Sequence, residues 1–240
     1  MKIKIFALGA LAAASITGTA SALTLDGIVS DLGAAAASDP TTPWTAPGDE
    51  GGAGNNQNLD LQDLYVAESG GIIHIAMTVD TPFTATVNDW GKYKIYIQTD
   101  NGGVGNTTSD PWGRAIRAGG SFSPQYVLSA WVDGGGGSQF HHWNTGTSAW
   151  DVVGAGSSFA FSNSGNGGNA GVEWSVTRAA LGNPATIQVQ GTDTGGGGSD
   201  NGQDAVPSQT NATDWSTVTV LATPTSAAAV PVTISGFSVE

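Results

Sequence analysis

The chain of 240 residues lacks cysteine, and this absence excludes several kinds of site. Disulfide bonds, thiolate nucleophiles and zinc or iron–sulfur centres held by cysteine all require that residue. Histidine is scarce as well, with three residues, and the patterns HExxH, G-x-S-x-G and GxxxxGK[ST] do not occur. We therefore expect no enzyme and no organic cofactor. Two acidic residues that meet in space, as in glycoside hydrolases, stay open as the catalytic alternative.

Basic residues and long apolar runs are also scarce. Seven Lys and Arg residues stand against 20 Asp and Glu residues, which gives a formal net charge of −13 at pH 7. An acidic surface repels both nucleic acid and anionic membranes, so neither is expected as a partner. After residue 22, no segment approaches the roughly 18 consecutive apolar residues of a membrane-spanning helix. The chain is therefore not expected to span a membrane.

The first 22 residues, MKIKIFALGALAAASITGTASA, have the pattern of a secretory signal peptide. Lys2 and Lys4 precede an apolar run, and small residues end the segment at Ala22. We predict cleavage after Ala22, which would remove two positive charges. The remaining chain should be secreted, to the periplasm, the cell surface or the extracellular medium.

Alternation of apolar and polar residues dominates the rest of the chain. GIIHIAMTVD (71–80) and KYKIYIQT (92–99) have the period of a strand with one face in a core and the other in solvent. The 36 glycines cluster between such runs and indicate long turns. Only TRAALG (177–182) is predicted to be helical, as one turn that Thr177 caps and Gly182 ends. The sequence predicts an all-β fold, a two-sheet antiparallel β-sandwich of immunoglobulin-like or jelly-roll type with about a dozen strands. Further strands are predicted at 23–29, 61–68, 125–133, 138–144, 149–153, 157–162, 172–176, 187–190 and 215–222.

The predicted organisation is one main domain, residues 23–222, that follows the signal peptide. Residues 35–60 form an irregular excursion that is poor in core residues. A linker at 223–229 precedes a final strand, VPVTISGFSVE (230–240). That strand would pair either with the edge of the sandwich or with another molecule.

Tryptophan is enriched, with eight residues. Trp174 alternates with polar neighbours in a predicted strand and is assigned to the core. Four others lie among polar residues, in DPWGR, SAWVDGG, HHWNTG and SAWDV. An aromatic ring beside amides and carboxylates can stack on the C–H face of a sugar while hydrogen bonds hold its hydroxyls. The alternative is that these rings only fill the ends of the sandwich. The predicted ligand-binding residues are Trp112, Arg114, Trp131, His141, Trp143, Asn144 and Trp150.

The segment TDNGGVGNTTSDPWGRAI (99–116) is rich in the oxygen donors that Ca²⁺ prefers. Asp100, Asn101 and Asp110 are the candidate ligands, and Ca²⁺ is the candidate cofactor. The spacing does not match an EF-hand, and no glutamate closes the loop. The alternative is a turn in which Asx side chains cap their own backbone.

Haem is a further candidate, because some exported β-sandwich domains bind it through methionine and histidine. His74 and Met77 lie three residues apart in one predicted strand. Their side chains should therefore point to opposite faces, and they cannot bind one iron atom from that strand. Haem is the least favoured of the ligands considered.

Several segments together carry a family resemblance. LTLDGIVSDLG, LYVAESGGIIHIAMTV, WGKYKIYIQTDNGG with DPWGRAI, and GVEWSVTRAALG followed by IQVQGTD occur in this order. In combination they resemble type 9 carbohydrate-binding modules and the wider DOMON-like β-sandwiches, particularly the glucodextranase C-terminal-like modules. The resemblance covers most of residues 23–222. It implies an antiparallel sandwich that is usually non-catalytic, often calcium-stabilised and able to bind sugars.

The chain departs from that family pattern in two ways. We expect no catalytic domain beside the module, and residues 35–60 and 134–169 are longer and richer in glycine than the pattern. We expect a secreted, non-catalytic module that binds an oligo- or polysaccharide. The alternative is a structural surface or matrix protein that self-associates through the strand at 230–240.

Overall fold

The computed structural model describes residues 22–38, 59–79, 91–101, 105–197, 200, 202–207, 219–221 and 224–228. The predicted signal peptide up to residue 21, most of the excursion at 35–60 and the predicted final strand at 230–240 lie outside these residues. More than half of the described residues belong to β-strands, and the helices among them are short 3₁₀ turns.

One sheet contains five antiparallel strands in the order β1-β2-β3-β10-β9. Its central strands, β3 and β10, pair along their whole length, with Val172 opposite Met77 and Trp174 opposite Ile75. The strands are β1 (Ala37–Ser38), β2 (Leu61–Ser69), β3 (Ile72–Val79), β9 (Ser157–Asn166) and β10 (Asn169–Thr177).

The second sheet has seven strands, in the order β12-β11-β4-β6-β7-β8, with β14 also paired to β11. A short parallel pair, β5 (Ile116–Ala118) with β13 (Thr219–Leu221), lies outside both large sheets. The strands of the second sheet are β4 (Lys92–Thr99), β6 (Tyr126–Trp131), β7 (Gly137–Asn144), β8 (Ala149–Val152), β11 (Thr186–Thr194), β12 (Gly202–Val206) and β14 (Thr225–Ala228).

The two sheets pack face to face around one apolar core. Alternate residues of β3 and β4, such as Ile75 and Ile95, are fully buried in it, and Trp174 of β10 lies among them. The expectation of an all-β, two-sheet antiparallel sandwich is confirmed, as is the assignment of Trp174 to the core. Met77 also belongs to this core, whereas His74 lies on the outer face of β3. The two side chains therefore point to opposite faces of one strand, as their spacing predicts.

The prediction that the polar faces of the central strands meet solvent is wrong. His74, Thr78, Lys94 and Glu173 occupy outward positions and are nevertheless buried. Irregular segments cross both outer faces and cover these side chains. One is the N-terminal segment, residues 22–33, over the five-stranded sheet; the other is the covering loop, residues 105–115, over the seven-stranded sheet.

The predicted strand at 23–29 is also wrong, because the N-terminal segment is bound through side chains rather than through a strand partner. The backbone N–H groups of Asp26 and Gly27 donate to Oε2 of Glu173, at 3.0 and 2.9 Å. Gly27 has φ of 77°, and a Cβ built there would lie 2.5 Å from the backbone N of Ser162. A short 3₁₀ helix, Val29–Asp31, follows, and Val29 together with Leu32 just after the helix packs on Ala76 of the sheet.

The predicted helical turn is confirmed as a 3₁₀ helix, Arg178–Leu181. Oγ1 of Thr177 accepts a hydrogen bond from the N–H of Ala180, and Gly182 ends the turn in the left-handed conformation. Within the described residues, no helix has the length and apolar character needed to cross a membrane. Residues 225–228, predicted as part of a linker, form β14 and pair with β11.

Candidate functional site

Four tryptophans lie on the outer side of the seven-stranded sheet, at the end that contains β6, β7 and β8. Trp131 ends β6, Trp143 lies on β7, Trp150 lies on β8, and Trp112 belongs to the covering loop. All four side chains are half-buried. They form two pairs, which together we call the tryptophan row.

The first pair is Trp112 with Trp131. Their ring centroids are 6.0 Å apart and their planes are inclined by 53°. The indole N–H of Trp112 donates to Oε1 of Gln139 at 2.5 Å. Trp131 lies directly over Gly137, its partner in the neighbouring strand, where any side chain would collide with the ring. These contacts hold both rings in place.

The second pair is Trp143 with Trp150, which face each other across β7 and β8. Their centroids are 5.4 Å apart in an edge-to-face arrangement of 66°, the geometry that aromatic quadrupoles favour. The indole N–H of Trp150 donates to the carbonyl oxygen of Ser109 at 3.1 Å. The covering loop therefore contacts both pairs.

The two pairs are separated along β7. Gly137, Gln139, His141 and Trp143 alternate on the outer side of this strand. Trp143 lies six positions after Gly137 in the strand, which corresponds to about 20 Å. The tryptophan row is thus two half-buried pairs at the two ends of β7 rather than a closed pocket. Gln139 is exposed beside the first pair, and His141, between the pairs, is buried under the covering loop.

A buried ion pair lies beneath the covering loop. Nζ of Lys94 is 2.8 Å from Oδ1 of Asp110, and both side chains are 0% exposed. The hydroxyl of Tyr96 donates to the same oxygen at 2.7 Å. Oδ2 of Asp110 accepts the backbone N–H groups of Trp112 and Arg114, at 2.8 and 3.1 Å. Asp110 therefore fixes the loop on β4, and Nζ of Lys94 lies 4.1 Å from the centre of the Trp112 ring.

Burial perturbs the titratable groups of this cluster. It lowers the pKa of Lys94 to about 8, and the carboxylate of Asp110 offsets only part of this effect. Burial, and then the charge of Asp110, raise the pKa of Tyr96 well above its ordinary value, so its hydroxyl stays protonated. Burial, and then the positive charge of Lys94, lower the pKa of His141 to about 4. At neutral pH His141 is therefore an uncharged side chain, 3% exposed.

The three predicted polar partners of the tryptophans are buried or bonded elsewhere. Arg114 is buried, and its Nη2 donates to the carbonyl oxygen of Gly196 at 3.4 Å. His141 is buried under the covering loop. Asn144 ends β7, where its Nδ2 donates to Asp151 at 2.7 Å and its Oδ1 accepts the N–H of Gly146 in the turn that follows.

Sequence reasoning missed Gln139 and placed Lys94 and Tyr96 in solvent. The alternation of β7 gives Gln139 the same face as Trp143, so its place beside the row could have been found from that pattern. Lys94 and Tyr96 carry no comparable signal, because the loop that buries them begins only at residue 105, after β4 has ended at Thr99.

The predicted calcium ligands do not converge. Both carboxylate oxygens of Asp100 accept backbone N–H groups, of Ala185 and Thr186, at 3.0 Å each. Nδ2 of Asn101 donates to the carbonyl oxygen of Gly182 at 2.8 Å, and Asp110 pairs with Lys94. Within the ranges that the structure describes, no group of three or more His, Cys, Asp or Glu side chains could hold a metal ion. Oδ2 of Asp110 accepts the backbone N–H of Trp112, two residues further along the chain, which is the Asx turn that the sequence offers as the alternative to a calcium site.

A groove of about 520 Å³ opens where β4, β11 and β14 lie side by side. Its polar side chains already bond within the chain: Asp100 as described, and Gln188, whose Nε2 lies 3.4 Å from Oγ of Ser226. Its lining contains none of the tryptophans. The groove is lined by Gln98, Thr99, Asp100, Thr186, Ile187, Gln188, Ser226 and Ala227.

No protein-family model matches the chain, and no curated protein matches its sequence. The family resemblance therefore stays an expectation that rests on short motifs, and the function must be argued from the geometry of the site.

Proposed function

We propose that the protein binds an oligo- or polysaccharide reversibly through the tryptophan row and performs no chemistry on it. The observation that carries this proposal is the alignment of two tryptophan pairs along one strand of a rigid sheet. Half-buried indole faces offer the C–H faces of sugar rings a stacking surface, and Gln139 offers an amide for their hydroxyls.

Preorganisation of the rings supports the proposal. Trp112 contacts Gln139, Lys94 and Trp131, whereas Trp150 contacts Trp143 and the backbone of Ser109. Rings that are already fixed lose little conformational entropy when a ligand binds, so more of the stacking energy remains as affinity. Two pairs about 20 Å apart suit an extended chain of several sugar rings better than a single monosaccharide.

The resemblance to carbohydrate-binding modules and the signal-peptide pattern support a secreted protein with this role. The alternative, a surface protein that assembles through the strand at 230–240, depends on residues outside the described ranges. Calcium and haem gain no support from the geometry, because their candidate residues have other partners or lie on opposite faces.

Affinity electrophoresis in gels that contain soluble polysaccharides tests the proposal. Trp112→Ala and Trp143→Ala each remove one ring from a different pair. Each should weaken the affinity, read from the retardation, by about five- to thirtyfold, since a stacked ring contributes on the order of 1–2 kcal/mol. Tyr65→Ala is the matched control, because Tyr65 is a half-buried aromatic residue on the other sheet. Unchanged retardation in both tryptophan variants, in a gel that retards the wild type, would show that the row is not the binding surface.

A further inference from the structure

The buried pair of Lys94 and Asp110 has a geometry that the sugar-binding proposal does not use. An amine and a carboxyl group lie 2.8 Å apart, with both side chains 0% exposed. Lys94 projects from β4, a central strand of its sheet, and Asp110 is held by two backbone N–H groups. Neither group can move far, so the two are held as if at very high local concentration.

We propose that Lys94 and Asp110 condense into an intramolecular amide bond between Nζ and Cγ, formed by the folded protein itself. The bond would fasten the covering loop to β4. The inference concerns the covalent structure of the protein and does not depend on which ligand the tryptophan row binds.

The reaction balances with the atoms already present. One proton passes from Nζ of Lys94 to Oδ1 of Asp110, which turns the ion pair into a neutral amine and a neutral carboxylic acid. The nitrogen lone pair then attacks Cγ, and the electrons of the carbonyl bond move onto Oδ2. A second proton moves from Nζ to Oδ1, the Cγ–Oδ1 bond breaks, and Oδ1 leaves with both protons as water. The carbonyl re-forms at Oδ2, and one hydrogen remains on the amide nitrogen.

Each step has a group in place to assist it. The N–H groups of Trp112 and Arg114, at 2.8 and 3.1 Å, point at Oδ2, where negative charge would develop, an arrangement that stabilises such an oxyanion. The hydroxyl of Tyr96, at 2.7 Å from Oδ1, can relay the second proton to the leaving oxygen. The lowered pKa of Lys94 increases the neutral fraction of the amine.

Burial also favours the product. Two opposite charges that are fully removed from water carry a desolvation cost, whereas a neutral amide carries a much smaller one. Water is excluded from the pair, so the reverse hydrolysis is disfavoured. The chain contains a natural comparison: Lys92 and Asp133 also form an ion pair, at 3.1 Å, but the Asp133 side chain is 44% exposed. That pair should not react.

Peptide mapping of the full chain tests the proposal. The protein is denatured and digested with trypsin, both freshly purified and after several days at neutral pH. A free Lys94 allows cleavage after residue 94 and releases a peptide of residues 95–114 with the mass of its sequence. An amide bond blocks that cleavage, and we expect one peptide of residues 93–114 whose mass is lower by one water molecule. Release of residues 95–114 at full mass in every sample would overturn the proposal.

The loss of one water molecule by amide formation can be distinguished from other losses of water in the same peptide. Loss of water by cyclisation of Asp110 onto the next backbone nitrogen needs an N–H group, which Pro111 lacks. Fragmentation of the peptide in the mass spectrometer should place the bond between residues 94 and 110. A single backbone break within that closed ring releases no fragment, so fragments that end there should be missing. A loss of water confined to Asp100 would count against the proposal. Lys94→Arg keeps the positive charge and the trypsin site and should release residues 95–114 at full mass.

Two further variants complete the experiment. Lys92→Arg is the matched control, since it changes the exposed ion pair and should leave the linked peptide intact. Tyr96→Phe removes one hydroxyl and should lower the fraction of linked peptide several-fold. An unchanged fraction in the phenylalanine variant would overturn the relay role of Tyr96.

Discussion

At the scale of single residues, position in the fold decides the chemistry of His141 and Asp110 more than residue type does. An exposed histidine would titrate near neutral pH, whereas burial beneath the covering loop keeps His141 uncharged. An exposed aspartate beside asparagine and glycine suits a cation site, whereas Asp110 has both oxygens occupied by Tyr96, Lys94 and backbone N–H groups. Asp110 therefore fixes the conformation of the covering loop, and His141 is an uncharged side chain beneath it.

His141 should make the fold sensitive to acid. Its pKa of about 4 in the folded state lies below the ordinary value of 6.5, so the unfolded state binds a proton first as the pH falls. The free energy of unfolding should therefore decrease between about pH 6.5 and pH 4, by up to roughly 3 kcal/mol from this group. His141→Gln should remove that part of the decrease in urea titrations across this range. His142→Gln, at the exposed neighbouring position, should keep it; equal pH dependence in the His141 variant and the wild type would contradict the assignment.

Asp110→Ala should destabilise the protein strongly. The substitution leaves the amine of Lys94 buried without its carboxylate and removes the acceptor for Tyr96 and two backbone N–H groups, which should cost at least about 3 kcal/mol. Urea unfolding followed by tryptophan fluorescence measures the loss. Asp133→Ala removes the exposed partner of Lys92 and should cost less than about 1 kcal/mol. Similar losses of unfolding free energy in the two variants would mean that the buried pair stabilises the fold no more than the exposed pair does.

At the scale of secondary-structure elements, the alternation of apolar and polar residues predicts the strands but does not predict the segments that cover them. The period of β3, β4 and β10 predicts which side chains enter the core, because that period is a local property of the chain. The segment at 22–33 lies over the sheet through a bond between Gly27 and Glu173, which are 146 residues apart. No local pattern encodes such a contact, so the segment was predicted as a strand.

The same distinction applies within the tryptophan row. Trp143 and Trp150 meet because a short turn joins β7 and β8 and fixes their register. Trp112 reaches Trp131 only through the path of the covering loop, and that path also buries Arg114 and His141. The sequence therefore predicted the aromatic part of the surface and misplaced its polar part.

Gly27 should be essential for the N-terminal segment to cross the sheet. Gly27→Ala requires a left-handed conformation and places a methyl group against the backbone of Phe161 and Ser162, so the free energy of unfolding should fall by at least about 2 kcal/mol. Gly33→Ala is the matched control, because Gly33 also has a positive φ of 85° but has no atom within 4 Å of the added methyl. The control should cost about 1 kcal/mol or less. Urea titrations that give equal losses would show that the close approach at Gly27 is unimportant.

At the scale of the whole molecule, the sandwich is a rigid support for two aromatic pairs on one of its outer faces. The pairs follow the strand direction, so the distance between them is set by β7. The acidic overall charge favours neutral ligands over anionic ones. Both features agree with a neutral polysaccharide as the proposed ligand.

Affinity should therefore depend on ligand length. A short oligosaccharide can contact one tryptophan pair, whereas a chain that extends about 20 Å can contact both and gain the second contact without a second loss of translational freedom. Isothermal titration with oligosaccharides of increasing length should show affinity that rises at least about tenfold and then reaches a plateau. In Trp143→Ala the plateau should occur at a shorter length. Affinity that is independent of length would contradict an extended site.

The close spacing of the indole rings gives the surface an intrinsic optical signature. Electronic transitions of rings separated by 5.4 and 6.0 Å couple with each other, and the inclined planes make that coupling chiral. The folded protein should therefore show exciton bands in its circular dichroism spectrum that neither tryptophan of a pair produces alone. A sugar that stacks on the rings would alter these bands directly, so binding at either end of the row can be followed spectroscopically on the unlabelled protein.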